Sequence, residues 1–315
     1  MKIVIFLCFY IKMYHHNTIP QELVEIIVSY LDYDDYNTFT ETFHLYNLNY
    51  SSIYSHKFEI YKKLDCDEYK RYLGLIDVKS KLSLMNFTNE YIEWTKKLHV
   101  HSKGIYSLPN SMKYLIQLEY LYLDNNKLAL FPHIITHLTE LKELDLSNNM
   151  LTSVDKDIIN LKYLQYLNVN DNSLDSFPEI RINLGIWEHL KEVYLANNKL
   201  TIFPQFINGL PHLKILILSG NNIKLVPDSI GNLIELTDLN LSRNKLTSLP
   251  KSIGNLEMLR YLLLDNNKLI SLPKSVINLS ELVYLGLTGN EITQFPWDLL
   301  RLNNPDCRII IKGQK

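Results

Sequence analysis

The sequence predicts an α/β repeat protein: a right-handed solenoid with parallel β-strands on its concave face, preceded by an all-α domain. Three observations carry this. The phrase Leu-x-x-Leu-x-Leu-x-x-Asn-x-Leu begins eight times, at Leu118, Leu141, Leu164, Leu190, Leu213, Leu236, Leu259 and Leu282, with Val or Ile at a few of its leucine positions. Six of the seven steps are 23 residues and one is 26, so each unit is too small to bury its own apolar face and the copies must stack. Each phrase leads into a second half of the type Leu-Pro-x-x-Ile-x-x-Leu, as at Val226 to Leu233 and Leu249 to Leu256, which is the spacing of a short helix with one apolar side. Before Thr95 the apolar residues recur at helical spacing instead.

Residues 1–16 are an apolar extension. Ile3 to Ile11 follow Lys2 and could form a signal-peptide core, but the run is too short to span a bilayer, which takes ~20 apolar residues. Lys12, Met13, Tyr14 and two histidines stand where a small-residue cleavage site would be, and Met13 could serve as a second start. The sequons at Asn49, Asn86, Asn240 and Asn278 do not argue for secretion, because Asn, Ser and Thr abound throughout.

Residues 17–60 read as a helical domain. Pro20 suits a first helical turn, and Leu23, Ile27, Tyr30 and Leu31 then share one face. Asp32 to Asp35 end that helix and can cap the next, near Tyr36. Between Ile19 and Tyr46 there are six acids and no Lys or Arg. This run resembles the F-box: Pro20, Glu22, Leu23, Ile27, Ser29, Leu31, Asp32 and Asp35 match its usual residues, while Ile19, Val24, Val28 and Tyr36 are conservative changes. Thr42-Phe43-His44 departs from it, and its closing tryptophan is missing. The resemblance implies that Ile19, Pro20, Leu23, Val24, Ile27 and Leu31 dock a Skp-type adaptor and, through it, a cullin. Residues 61–94 read as a helical connector, into which an apolar stripe of Phe58, Tyr61 and Leu64, or of Ile60 and Leu64, leads. Tyr91, Ile92 and Trp94 prepare the junction with the first repeat. No Gly/Ser-rich linker intervenes, which favours a rigid arrangement.

The repeats occupy residues 95–304. A degenerate unit comes first, with Leu98, Val100, Ile105, Leu108 and Pro109 in register, Thr95 in place of the leading leucine and Lys103 in place of the asparagine. An end repeat needs that polar drift, because one of its faces has no neighbouring repeat. In the eight full copies the Leu-x-Leu core alternates inward and outward, as in Leu144 and Leu146 against Glu143, Asp145 and Ser147. The asparagine column, Asn126, Asn149, Asn172, Asn198, Asn221, Asn244, Asn267 and Asn290, falls where the chain leaves the strand. Its amides can satisfy turn backbone groups, so all eight are expected to be buried and structural. Proline is expected in the first turn of each helical half. These copies resemble the leucine-rich repeat family, in its intracellular Ras-group form with the Leu-Pro-x-x-Ile phrase. Two departures stand out: Asp155 replaces a proline, and three extra residues fall between Pro178 and Leu184. Phe295-Pro296-Trp297 and Leu299 complete the last helical half. Residues 305–315 are a C-terminal cap in which Ile309 to Ile311 could add an edge strand. Nine parallel strands make a face ~40 Å long.

The outward strand positions define what a partner meets. One column collects Tyr120, Tyr166, Ile215, Tyr261 and Tyr284; the next holds Tyr122, Tyr194, Ile217 and Leu263. Acids stand among them, Asp124 and Asp145 foremost, with Glu143, Glu192, Asp238 and Asp265. Aromatic side chains in an acidic surround suit a protein target with apolar anchors and some basic groups. A formal charge of −2, with Lys and Arg away from the aromatics, disfavours nucleic acid. Cys8, Cys66 and Cys307 fit neither a disulfide framework nor a zinc motif, which suits a reducing compartment. No phosphate loop, nucleophile motif or metal-spaced His/Cys set occurs. His15-His16, His99-x-His101 and the pair His133 and His137 read as solvated side chains.

These readings converge on a non-enzymatic adaptor without cofactor or metal, a monomer within a larger complex, cytoplasmic or nuclear, with no membrane partner. The F-box resemblance implies the substrate receptor of a Skp–cullin–F-box ubiquitin ligase, the repeats presenting an unknown target protein. The alternatives are a signalling scaffold for small GTPases or phosphatases, as other Ras-group repeats are, or a pathogen decoy that occupies the host adaptor.

Overall fold

The computed structural model describes residues 96–179, 187–293 and 307–312. The adaptor-docking face expected at Ile19, Pro20, Leu23, Val24, Ile27 and Leu31, the connector, and Phe295 to Leu299 lie outside these residues.

Among the described residues, ten three-residue strands pair in parallel, in strict chain order, into one sheet. They are β1 (Lys97–His99), β2 (Tyr120–Tyr122), β3 (Glu143–Asp145), β4 (Tyr166–Asn168) and β5 (Glu192–Tyr194). β6 (Ile215–Ile217), β7 (Asp238–Asn240), β8 (Tyr261–Leu263), β9 (Tyr284–Gly286) and β10 (Arg308–Ile310) complete it. The middle residue of every strand from β1 to β9 points inward, and these residues are fully buried from Leu98 through Leu144 and Val193 to Leu285. The degenerate first unit is therefore a true repeat, with Leu98 paired to Leu121 in the same register as the others. The edge strand of the cap is present, one residue earlier than the sequence placed it.

Between the strands run five-residue 3₁₀ turns, among them Asn110–Tyr114, His133–His137, Lys156–Asn160 and Asp228–Asn232. Here the proline expectation needs correcting. Pro109, Pro132, Pro204, Pro227, Pro250 and Pro273 stand before the turn, in extended backbone, not inside its first turn. The reason is the shortness of the turn: each proline supplies the carbonyl that opens it, as in Ile230 N–H to Pro227 O at 3.1 Å, and its missing N–H costs nothing there. Asp155 fills the same position by a different device, its carboxylate accepting from the Asp157 N–H at 2.9 Å. The Ser-Ile-Gly-Asn copies pack closest: a Cβ on Gly231 would lie 2.6 Å from the Ser252 carbonyl oxygen, and one on Gly254 2.3 Å from that of Ser275. Glycine at these two places sets how near adjacent turns can approach.

The extra residues of the 26-residue repeat also need relocating. Trp187, not Leu184, occupies the slot that leucine fills at the end of the other turns; Leu190 N–H bonds to Trp187 O as Leu141 N–H bonds to Leu138 O. The insertion thus falls between Pro178 and Trp187. The indole is completely buried, meets the Phe206 ring edge to face at 5.4 Å, and donates through Nε1 to the Leu161 carbonyl at 3.1 Å.

Each asparagine of the column stitches two repeats together. Asn149 donates to Leu146 O and Ser147 O in its own turn and to Leu123 O one repeat back, while its Oδ1 accepts from Leu128 N–H at 3.0 Å. Seven of the eight are buried as expected; Asn172 is half-buried. It keeps the same bonds. The residue before each asparagine has a left-handed backbone, and Asn, Asp or Gly holds it in every copy except one, where Arg243 sits at φ 54°. Asn149→Ala should cost about 1–3 kcal/mol in urea unfolding, since it strands a buried donor and a buried acceptor. A loss below about 0.5 kcal/mol would show that these bonds do not hold the turns.

Candidate functional site

Because all the strands pair in register, their outward residues form two straight columns on the open face of the sheet. From β1 to β9 the first reads Lys97, Tyr120, Glu143, Tyr166, Glu192, Ile215, Asp238, Tyr261 and Tyr284. The second reads His99, Tyr122, Asp145, Asn168, Tyr194, Ile217, Asn240, Leu263 and Gly286. In the first column, ring or branched aliphatic alternates with carboxylate from β2 to β8. The sequence reading collected the tyrosines and the acids as separate sets and missed this alternation, whose signal is a period of two repeats.

The structure gathers the predicted residues into two groups. Toward the N-terminal end, Tyr122 stacks on His99 with ring centroids 4.5 Å apart, and the Lys97 ammonium stands 5.4 Å from the Tyr120 ring and 5.3 Å from that of Tyr122. The Tyr122 hydroxyl donates to Glu143 Oε2. Tyr166 and Tyr194 meet at 5.2 Å, and the Tyr194 hydroxyl donates to Glu192 Oε2 at 2.8 Å. Burial, then the bonded carboxylate, holds the Tyr122 and Tyr194 phenols well above the usual tyrosine range. Burial and the charges of Asp145, Glu192 and Glu143 push Tyr166 up to about 12. All three hydroxyls therefore remain protonated at neutral pH. The second group, Tyr261, Leu263 and Tyr284, is separated from the first by Asp238 and Asn240, with Ile215 and Ile217 on the near side. Lys97 and His99 belong to the cluster although the sequence reading did not select them; desolvation, then the nearby Lys97, lowers the His99 pKa.

The acids differ in how much they have to offer. Asp124 lies beyond the strand, in the turn, where it accepts from Asn125 Nδ2. Asp145 is engaged at both oxygens, by Ser147 N–H and hydroxyl and by Asn168 Nδ2. Asp265 fills the space a side chain on Gly286 would need and accepts from Thr288 N–H. Glu143, Glu192 and Asp238 each accept through one oxygen and keep the other without a partner among the described residues. The ion pairs found there use other groups: Glu119 with Lys96 and Lys142, His133 with Asp155, and His212 with Glu235.

On the opposite side, the His133, Asp155 and Asp157 ligand atoms lie within 4.8 Å of one another. Bonds within the trio account for their positions: His133 Nδ1 pairs with Asp155 Oδ2 at 2.6 Å, and Asp155 Oδ1 caps the turn. His133 and His137 also meet edge to face. Among the described residues no helix is long and apolar enough to cross a membrane, and Cys307 is a free thiol whose pKa burial raises.

Comparison with known proteins gives three family-model matches: "Leucine rich repeat" over residues 116–174, "Leucine Rich Repeat" over 212–233 and "Leucine-rich repeat region" over 227–304. No curated protein matches the chain. Among solved structures, the leucine-rich repeat protein LIC12759 of Leptospira interrogans is 32% identical at a TM-score of 0.51, over 69% of this chain and 67% of that one. The plant peptide hormone receptor RGFR1, solved in complex with RGF2, is 26% identical at 0.58, over 66% of this chain. PEPR1, solved with AtPEP1, is 25% identical at 0.55, over the same share. The chain spans only 34% and 33% of those two proteins.

Proposed function

Since the chain belongs to the leucine-rich repeat family, whose members generally mediate protein–protein interaction, we propose that it is an adaptor whose open sheet face holds a protein target. Its F-box-like residues 17–60 would deliver that target to a Skp-type adaptor and cullin for ubiquitin transfer, in the cytoplasm or nucleus. The single observation that carries the target site is the half-buried aromatic cluster Tyr120, Tyr122, Tyr166 and Tyr194, in which Glu143 and Glu192 hold the Tyr122 and Tyr194 hydroxyls. Stiff rings held in place lose little entropy on binding, and such residues dominate interface energetics. Repeats of this kind are typically scaffolds, not enzymes, so the chain would contribute proximity alone. RGFR1, solved with RGF2, and PEPR1, solved with AtPEP1, support reading the repeat domain as a protein-binding element.

The delivery half rests on the match of Pro20, Leu23, Ile27 and Leu31 to the F-box. Full-length protein should co-purify with a Skp-type adaptor and a cullin. Leu23→Asp with Ile27→Asp should abolish that association, because each carboxylate would be desolvated in the contact. Unchanged co-precipitation, with the repeats still folded by circular dichroism, removes this half of the proposal and leaves a signalling scaffold. A complex that forms with the adaptor but captures no target is the decoy.

A further inference from the structure

The alternation of the first column carries a statement about what the target brings. Glu143, Glu192 and Asp238 sit on β3, β5 and β7, every second strand, and each keeps a carboxylate oxygen without a partner among the described residues. Strands in a sheet lie ~4.8 Å apart, so the backbone positions of these three acids repeat at ~9.6 Å along the domain. Tyr166 and Ile215 fill the intervening places, and the two columns hold no Lys or Arg from β3 to β7; one residue before the first column stand Lys142, paired with Glu119, and the exposed Lys191 and Lys214. A polyproline II segment advances ~3.1 Å per residue with three residues per turn, which brings every third side chain to the same side at ~9.3 Å. The two repeats match to within a few tenths of an ångström.

We infer that the target presents an extended segment with a cationic side chain at every third residue, lying along the column. Each cation reaches one of Glu143, Glu192 and Asp238, and the intervening residues rest on Tyr166 and Ile215. The inference rests on the reading of this face as the target site and adds its chemistry and register. Arginine suits it better than lysine: the guanidinium can bond the free carboxylate oxygen and lie against a tyrosine ring at once. Asp145, Glu192 and Glu143, whose charges add to burial in raising the Tyr166 pKa, act in the same direction.

The test is a selection of random dodecapeptides on the full-length chain. The binders, together with the synthetic peptide (Arg-Pro-Pro)₄ and an isomer with its four arginines contiguous, are then titrated by fluorescence anisotropy. The expected result is enrichment of Arg or Lys at every third position, with the periodic peptide binding at least tenfold tighter than its isomer. Glu143→Gln with Glu192→Gln should cancel that advantage. Equal binding of the two isomers, binding of neither, or indifference to the double glutamine variant overturns the inference. Binders that lack the three-residue period but are lost on Tyr166→Ala with Tyr194→Ala also overturn it, while leaving this face as the target site. Binders insensitive to both double variants remove the site as well.

Discussion

Trp187→Ala should destabilise the repeat domain by about 3–5 kcal/mol, the cost of emptying a fully buried aromatic site. Three losses combine. The indole fills the leucine slot at the end of a turn lengthened by the insertion, and alanine leaves a cavity there. Its edge-to-face contact with Phe206 of the following repeat goes, and Phe206 is also packed on Phe177 of Trp187's own repeat at 4.3 Å, so the loss loosens the joint between the two. Finally, the Leu161 carbonyl loses the Nε1 donor that satisfies it inside the protein. Nearest-neighbour coupling in a solenoid makes the damage local in structure, but it falls in the middle of the array, where it can split one cooperative unit into two. Denaturant unfolding followed by far-UV circular dichroism measures it, since the substitution removes one of only three tryptophans and would confuse fluorescence. Trp187→Phe separates the terms: it keeps most of the volume and should lose only about 1–3 kcal/mol, the unpaired carbonyl. A single transition with less than about 1 kcal/mol lost in Trp187→Ala would mean the slot collapses without consequence.

That slot also marks where the sequence stopped being readable. Periodicity located β1 to β9, because Leu-x-Leu recurring at a 23-residue step, once 26, allows one register only, and the buried middle residues from Leu98 to Leu285 follow from it. The asparagine column was legible for the same reason. The 26-residue step was visible as an insertion, but not which residue resumes the pattern. Leucine at 184 matched the phrase, whereas Trp187, at φ 58°, holds a backbone conformation rare for a bulky side chain. The prolines were misplaced by one position because a five-residue 3₁₀ turn has no interior first turn for them to occupy. For the candidate site, alternation along a strand identified the outward tyrosines. Which acids are free could not be read, since that depends on hydrogen bonds between repeats: Asp145 is engaged by Ser147 and Asn168, while Glu192 holds only Tyr194.

Tyr122→Ala with Tyr194→Ala should weaken target capture more than any other pair of surface changes, by about 2 kcal/mol or more for each ring, near thirtyfold apiece. The structure gives a reason for choosing these two. Tyr122 lies flat on His99 with its hydroxyl on Glu143, and Tyr194 is held by Tyr166 on one side and Glu192 on the other. Both rings are thus ordered before the target arrives, and little entropy remains to be lost on binding. The convex pair Lys251→Ala with Lys274→Ala is the control, as both side chains are exposed. The tyrosine hydroxyls can be tested apart from the rings, because Tyr122→Phe with Tyr194→Phe keeps the apolar surface while releasing Glu143 and Glu192. If ring burial dominates, the Phe pair binds almost as the wild type does. If the carboxylates must be held in place to meet the target, the Phe pair falls most of the way toward the Ala pair. Unfolding midpoints recorded beside each affinity separate lost contact from lost fold, since a misfolded solenoid would also release its target. A convex pair that alone weakens capture assigns the target to the other face. If neither pair matters, the open sheet face is not where the target sits, and the tyrosines serve the sheet alone through cross-strand packing worth about 0.2–1 kcal/mol per pair.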